Sequence, residues 1–525
     1  MARLPAAEDA AARGLAAFAF GDFGAISTRT LETNALPYKV VAVALLAERE
    51  ARTGAAATRD DLAAEFRRYG FMTTDRLANW PEQPPAPAGR DRPVGLVSGT
   101  VGGGIPPLVR TDAVNVGCAA CHAGVTYDAS GEPTGQVWLG LPNTSVNIEA
   151  FTRVVYERLK RLAAEPDTLV RRAEALFPEM GWRERFTLRH FVVPRVRDRI
   201  TELAATIDAP QGYSNGGPGM TNGVAALKDR LGLLAPDRHH AEYGFASIPD
   251  LASRHLRSSL LYDGVYAPSG AEHFRPLDAD SAVPPVEPMA GVVGFFTVST
   301  MGLRPEDVPD QLETAGDVMR WLTRRYSPPP FPGPIDADSA ARGAELFEVH
   351  CAECHGRYEE EGPPPRRLTW YPNRLVPQDE IATDSMRWSA VDSTFIAALS
   401  RTAYRDYVST RRTGGYVAPI LSGLWATAPY LHNGSVPTLW QLMNPAERPT
   451  RFMVGGHRLD YRDVGIDGAP DAEGVYRYPA DYEPWSEPAL YDTRRPGLDN
   501  RGHEAPFDEL TTPEKRALLE YLKTL

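Results

Sequence analysis

Cysteine is scarce in this chain, 4 in 525 residues, and all four fall into two copies of one pattern, so none is left for a disulfide. No apolar run approaches the roughly 18 residues that a membrane-spanning helix needs. Met1-Ala2-Arg3-Leu4-Pro5 leads into acidic and alanine-rich sequence without the apolar centre of a secretory signal. Positive charge is in deficit: 56 Lys and Arg stand against 68 Asp and Glu, a formal net charge of −12. That balance argues against nucleic acid and against an anionic membrane surface as partners, and it is compatible with a basic electron-transfer protein. Proline and glycine are plentiful, 47 and 45, which points to long ordered loops. Apolar content of 43% with 24% charged is ordinary for a soluble globular protein. The length implies more than one domain.

What is present is organised around Cys351-Ala352-Glu353-Cys354-His355, and the same pattern stands at Cys118-Ala119-Ala120-Cys121-His122. Two cysteines three apart with a histidine directly after read as a c-type haem attachment site. Each thiol adds to one vinyl group of the same porphyrin, so both sulfurs must lie on one side of the ring. The histidine then sits under the iron as proximal ligand. A zinc half-site or a thioredoxin-like redox pair are the competing readings, and cysteine count alone leaves a shared Cys₄ zinc site open. Two covalently bound haem c groups are expected. Covalent haem attachment of this kind normally occurs outside the bacterial cytoplasm, so the expected location is periplasmic or secreted, with a leader or anchor removed ahead of Met1.

The expected fold class is mainly α: two cytochrome c-like haem domains with long loops and an N-terminal helical extension. The expected divisions are 1–94 for the extension, 95–334 for the first haem domain and 335–525 for the second. Val40, Val41, Val43, Leu45 and Leu46 suit a buried helix, and Thr58 to Asp61 reads as a capping-box start. The extension is either a cover over the first haem or a stabilising addition. Gly102-Gly103-Gly104 is a candidate for close backbone approach to porphyrin. In the last domain, Ser339 to His350 is a helix running into Cys351, and Thr512-Pro513 opens a final helix with threonine as cap. Gly343 is expected to meet the Leu518, Tyr521, Leu522 face of that helix.

His503, in a loop just before the last helix, is the best placed sixth ligand for the second haem; Met443 and Met453 are the fallbacks. The first haem has no equally placed candidate, His255 being the nearest. Two irons of different ligation imply a division of labour, since ligation and burial tune haem potentials over roughly 0.8 V. Trp425 and Tyr430 stand in a loop suited to the space between two haem domains, where Trp425 either mediates electron transfer or merely packs. His432 in the same loop is a candidate donor to a haem propionate.

These motifs, with Thr427-Ala428-Pro429-Tyr430-Leu431-His432-Asn433-Gly434-Ser435, resemble the bacterial dihaem cytochrome c peroxidase superfamily. Within it the chain is most similar to the branch holding the latex-cleaving rubber oxygenases, through Gly140 to Asn143, Ser247 to Asp250, Leu261 to Gly264 and Gly502-His503. The resemblance implies His503 as distal ligand of the second haem and a reactive first haem on His122 that takes O₂ or peroxide. It also implies one Ca²⁺, with Asn143 and the carbonyls of Thr427 and Pro429 at the matching positions; plain loop hydrogen bonding is the alternative. The peroxidase branch's Phe-Trp-Asp-Gly-Arg segment is not found, and Glu179 is a weak stand-in for its distal glutamate. Tyr262 stands where the oxygenase branch often has tryptophan.

The reading is an extracytoplasmic dihaem oxidoreductase, monomer or homodimer, in which His122, Tyr262, Trp425 and His432 are the catalytic candidates. Its reactants are O₂ or H₂O₂ and either an apolar organic substrate or a small redox protein. Tyr262, Phe295 and Phe296 are candidates to line an apolar channel. The competing class is an electron carrier without chemistry of its own. Two carrier domains of roughly 100 residues each leave much of the 525 residues without a purpose.

Overall fold

Helix outweighs strand almost threefold in the computed structural model, 43% against 15% of the described residues. Described are residues 9–20, 36–73, 77–81, 92–101, 111–209, 214–235, 242–279, 289–294 and 305–525; Gly102 to Gly104, Phe295 and Phe296 lie outside them. The expected mainly-α class fits, with a strand contribution that the sequence pattern did not announce. Eight small sheets of two to four strands occur among the described residues, most of their strands too short to show alternation. No described helix is long and apolar enough to cross a membrane.

Near the C-terminus, Ala337–His350 starts at Asp336, whose side chain accepts from the Ser339 N–H at 2.7 Å. This helix crosses Thr512–Leu522, which buries Leu518, Tyr521 and Leu522. The cap of that second helix is Thr511 rather than Thr512. Its N–H and hydroxyl both donate to Glu514, at 2.8 and 2.7 Å, because a carboxylate three residues beyond the cap is the one that can reach back. At the crossing, Gly343 lies against the Ala517 carbonyl, and a Cβ there would stand 2.8 Å from Cβ of Tyr521. Gly343→Ala therefore forces the helices apart, with an expected loss of roughly 1–3 kcal/mol, measurable as a lower urea midpoint at unchanged slope.

Two clusters form the core. One is built by Tyr38–Thr53, Ile148–Leu162, Pro166–Leu176 and Val193–Ile207, and it takes in Ala120 of the first cysteine motif. The larger gathers side chains from Ala11 to Leu525, Ala119 and Ala352 of both motifs among them. At the N-terminal end, Ala10–Phe20 packs on Leu312–Arg324, with Gly14 against the Asp317 backbone.

An internal repeat has one copy between the two motifs and the other after the second motif. Residues 248–266 and 418–436 share one backbone path at an offset of 170 (419 − 249). Each copy has a short 3₁₀ turn, Arg254–Leu256 and Leu424–Ala426. Each has positive φ at matching places: Ser253 and Gly423 at 52° and 71°, Leu261 and Leu431 at 68° and 67°, Gly264 and Gly434 at 62° and 68°. Each closes with a matching bridge, Leu260 to Tyr266 and Tyr430 to Val436. The copies also exchange hydrogen bonds as a pseudo-twofold pair. Ser247 N–H donates to the His432 carbonyl at 2.8 Å, and Val417 N–H to the Tyr262 carbonyl at 2.7 Å. Tyr262 and His432, equivalent in the repeat, face each other with ring centroids 6.5 Å apart.

Candidate functional site

The first motif is a tight turn, Cys118–Cys121, fixed from behind. Asn143 donates from Nδ2 to the carbonyls of Gly70 (2.8 Å) and Ala120 (3.1 Å), and its own N–H donates to Cys121 O at 2.7 Å. Its Oδ1 accepts from the N–H groups of Ser145 and Val146. Thr427 and Pro429 line a small cleft with Thr144, Ser247 and Gly434, but the Asn143 oxygen is committed to two backbone donors. Calcium takes roughly six to eight oxygens, waters among them, but the Asn143 oxygen is turned to the backbone, so Asn143 holds the motif's turn and does not fit as a calcium ligand. The His122 carbonyl accepts from Gly140 N–H at 2.8 Å. Burial, with Arg254 nearby, lowers the His122 pKa to about 3, while the Pro249 carbonyl beside it acts the other way.

In the second motif, His355 Nδ1 faces the Pro419 carbonyl at 2.9 Å. With the proton on Nδ1, Nε2 keeps its lone pair for a metal. Pro249 and Pro419 occupy the same place in the internal repeat, so each copy presents a proline carbonyl to one motif histidine. Across from His355 stands His503, ring centroids 6.0 Å apart. Two imidazoles that share a metal through bonds of about 2 Å have their centroids roughly 6 Å apart, so this pair fits a haem iron between them. The loop holding His503 is braced: its N–H donates to Ile381 O at 2.8 Å, and Arg448 Nη1 donates to the carbonyls of Asn500 and Gly502 at 2.6 and 3.0 Å. His503 itself takes φ +52°, a strained setting for a non-glycine residue. Burial, then the neighbouring His355, lowers its pKa to about 4, so it is neutral and able to ligate at physiological pH.

None of the four cysteines forms a disulfide. Burial pushes Cys118, Cys121 and Cys351 up to about 12, unlike the lowered thiols of redox pairs. Among the described residues no three His, Cys, Asp or Glu side chains converge as a metal site, so the motifs do not meet in a shared zinc centre.

The other sequence candidates separate. No ring stacks on His122 among the described residues. His255 lies on the Arg254–Leu256 turn with a buried, unpartnered Nδ1 and makes no ring contact with His122. Met443 is buried on Leu439–Met443, and Met453 has its sulfur beside Arg477; the imidazole facing His355 is that of His503. Glu179 is exposed and ion-paired with Arg59. Trp425 packs against Tyr127, Phe331 and Tyr461 and donates to Pro329 O at 3.3 Å. Tyr262 shares a hydrogen bond with Ser247 at 3.0 Å. His432 stacks on Tyr416 at 4.2 Å with Nε2 on that hydroxyl at 3.1 Å.

Residues 415–453 match the family "RoxA-like, cytochrome c-like". The match supports the rubber-oxygenase-like cytochromes and, with them, a c-type cytochrome oxidoreductase carrying covalent haem c. This RoxA-like segment holds Pro419, which faces His355, and the whole second copy of the repeat. Two proteins of Sinorhizobium fredii (strain NBRC 101917 / NGR234) are also similar. "Uncharacterized protein y4iM" is 34% identical over 192 residues, covering 34% of this chain and 43% of that protein. "Uncharacterized protein y4iJ" is 36% identical over 138 residues, covering 23% and 20%. The chain thus spans less than half the length of these relatives.

The RoxA-like segment also sets an acid limit on stability. Burial lowers His432 to about 3 and, just beyond the segment, His457 to about 4, from 6.5. Below pH 6.5 the unfolded chain binds protons that the folded chain refuses. Stability is therefore full above 6.5 and falls with pH by up to about 1.4 kcal/mol per unit for each histidine, levelling near pH 3–4 as the folded groups protonate. Urea midpoints at pH 7 and pH 5 should show the drop, and His457→Phe should reduce it.

Proposed function

We propose that the chain is an extracytoplasmic oxidoreductase with two c-type haems, one held by Cys118, Cys121 and His122 and the other by Cys351, Cys354, His355 and His503. It acts on O₂ or H₂O₂, with an apolar organic substrate or a small redox protein as second reactant, in the manner of the rubber oxygenases or the dihaem peroxidases. The observation that carries this reading is an asymmetry: His355 has a second imidazole 6.0 Å away, and His122 has no facing ring among the described residues. When bound, haem c supplies an iron that exchanges single electrons and, where a ligand position is free, takes O₂ or peroxide.

The chain's own contribution is positioning. Pro419 accepts from His355 Nδ1 and aims Nε2 at the haem. His503, facing His355, would offer a second neutral nitrogen to a bound haem iron. Asn143 and Gly140 N–H fix the turn that carries His122, and His122 would hold the haem that meets the oxidant. Tyr262 and His432 lie on the seam between the two repeats and are the groups we assign to communication between the sites.

Holoprotein supplied with H₂O₂ and a reduced small cytochrome, or with O₂ and a polyisoprenoid oligomer, should consume oxidant in one of the two assays. His122→Ala should abolish that consumption. A protein that exchanges electrons yet consumes neither oxidant is a carrier, and the reading fails.

A further inference from the structure

Arg254, half-buried, and Arg257, buried, carry positive charge without an ion-paired carboxylate among the described residues. Arg257 is 2% exposed; it donates to the carbonyls of Ser259 (2.9 Å) and Leu261 (2.7 Å) and to the Tyr371 hydroxyl at 3.3 Å. Arg254 gives Nε and Nη2 to one carbonyl, that of Asp250. Among the described residues neither guanidinium has a carboxylate within ion-pair distance. Asp250 is the nearest acid to act on Arg254, but its oxygens are taken by the Tyr326 hydroxyl at 2.7 Å and the Ala252 N–H. Burial also raises Asp250 to about 6. Asp263, which also acts on Arg257, is paired with Arg387, so the half-buried Arg254 and the buried Arg257 leave positive charge in surplus, a setting that favours a further anion.

The repeat shows that the backbone does not ask for arginine at these places. Leu424 (254 + 170) and Thr427 (257 + 170) occupy the equivalent positions on the same 3₁₀ turn. The arginines also sit between the two motifs. Arg254 acts on the His122 ring. Arg257 reaches Tyr371, whose hydroxyl donates to the Ala418 carbonyl, one residue before the carbonyl that faces His355 Nδ1.

We propose that Arg254 and Arg257 form an anion site for the propionate carboxylates of bound haem, Arg254 serving the His122 side and Arg257 the His355 side, and thereby raise the potentials of the two centres. This rests on the two-haem reading above. A fixed positive charge opposes the ferric state, which carries one more positive charge than the ferrous; removing it favours ferric iron.

The test is a spectroelectrochemical titration of the holoprotein and of Arg254→Leu and Arg257→Thr, substitutions that copy residues already accepted on this backbone. Arg254→Leu should raise the ferric-to-ferrous ratio of the His122 haem at least tenfold at a fixed potential, a fall of about 59 mV for one electron, with a smaller change at the other haem. Arg257→Thr should do the reverse. Arg254→Lys keeps the charge and should restore most of the shift; loss of the His122 haem in the leucine variant with retention in the lysine variant supports the proposal equally. Unmoved potentials in variants that keep both haems overturn it, as does a lysine variant that behaves like leucine. Haem content of the parent protein, measured first, separates the two ideas: a parent without haem sinks both, and two haems with unmoved potentials sink only the arginine site.

Discussion

Cys118→Ser combined with Cys121→Ser should halve the covalent haem content and remove all reaction with CO, leaving one low-spin haem. The two cysteine motifs do not converge, so each can hold its own porphyrin. At the second motif His355 and His503 face each other and would hold the second haem whatever happens at the first. Covalent attachment is the anchor, because thioether bonds survive denaturation whereas a histidine–iron bond does not. The haem-stained band of a denaturing gel, compared with pyridine haemochrome content, reads the result. Two remaining haems, or none, would mean that the sites are not independent.

His503→Gly should convert the second centre from low spin to high spin and open it to CO while leaving haem content unchanged. Glycine suits the site's backbone, since φ is +52° there and a glycine carries no penalty in that region. The strain relieved is of order 1–3 kcal/mol, so folding should not suffer and the spectral change can be assigned to the missing nitrogen. Arg448 continues to hold the Asn500 and Gly502 carbonyls, which keeps the loop in position. Added imidazole should then restore the low-spin spectrum. A variant that stays low spin without imidazole would show that another side chain, Met443 and Met453 being the fallbacks in the sequence, ligates that iron.

The cysteine motifs were legible because covalent chemistry fixes five consecutive residues. The helix crossing at Gly343 was legible for a related reason: a glycine aligned with Phe347 on one face, in a helix leading into the motif, has few uses other than close approach. The capping residue was displaced by one, since Thr511 and Thr512 are chemically alike and only the reach of Glu514 distinguishes them. The repeat was missed. Between 248–266 and 418–436 the shared letters are few, notably Pro249 and Pro419, Leu251 and Leu421, Leu261 and Leu431, Gly264 and Gly434. What the copies share is a set of left-handed backbone positions filled by Ser, Leu and Gly alike, and tertiary packing imposes that set more than local preference does. The resemblance implies a cation ligand at Asn143, because a sequence shows the amide and not the four backbone groups that use it. Arg254 and Arg257 had no signal at all until the repeat supplied a neutral copy for comparison.

The central claim is that two haems with different ligation share this chain. The most direct test is an EPR and optical spectrum of the purified protein, oxidised and then reduced with dithionite under CO. One low-spin signal that ignores CO, beside one haem that binds it in equal amount, is the predicted result. Two low-spin haems that both refuse CO, or a protein without haem colour, would contradict it.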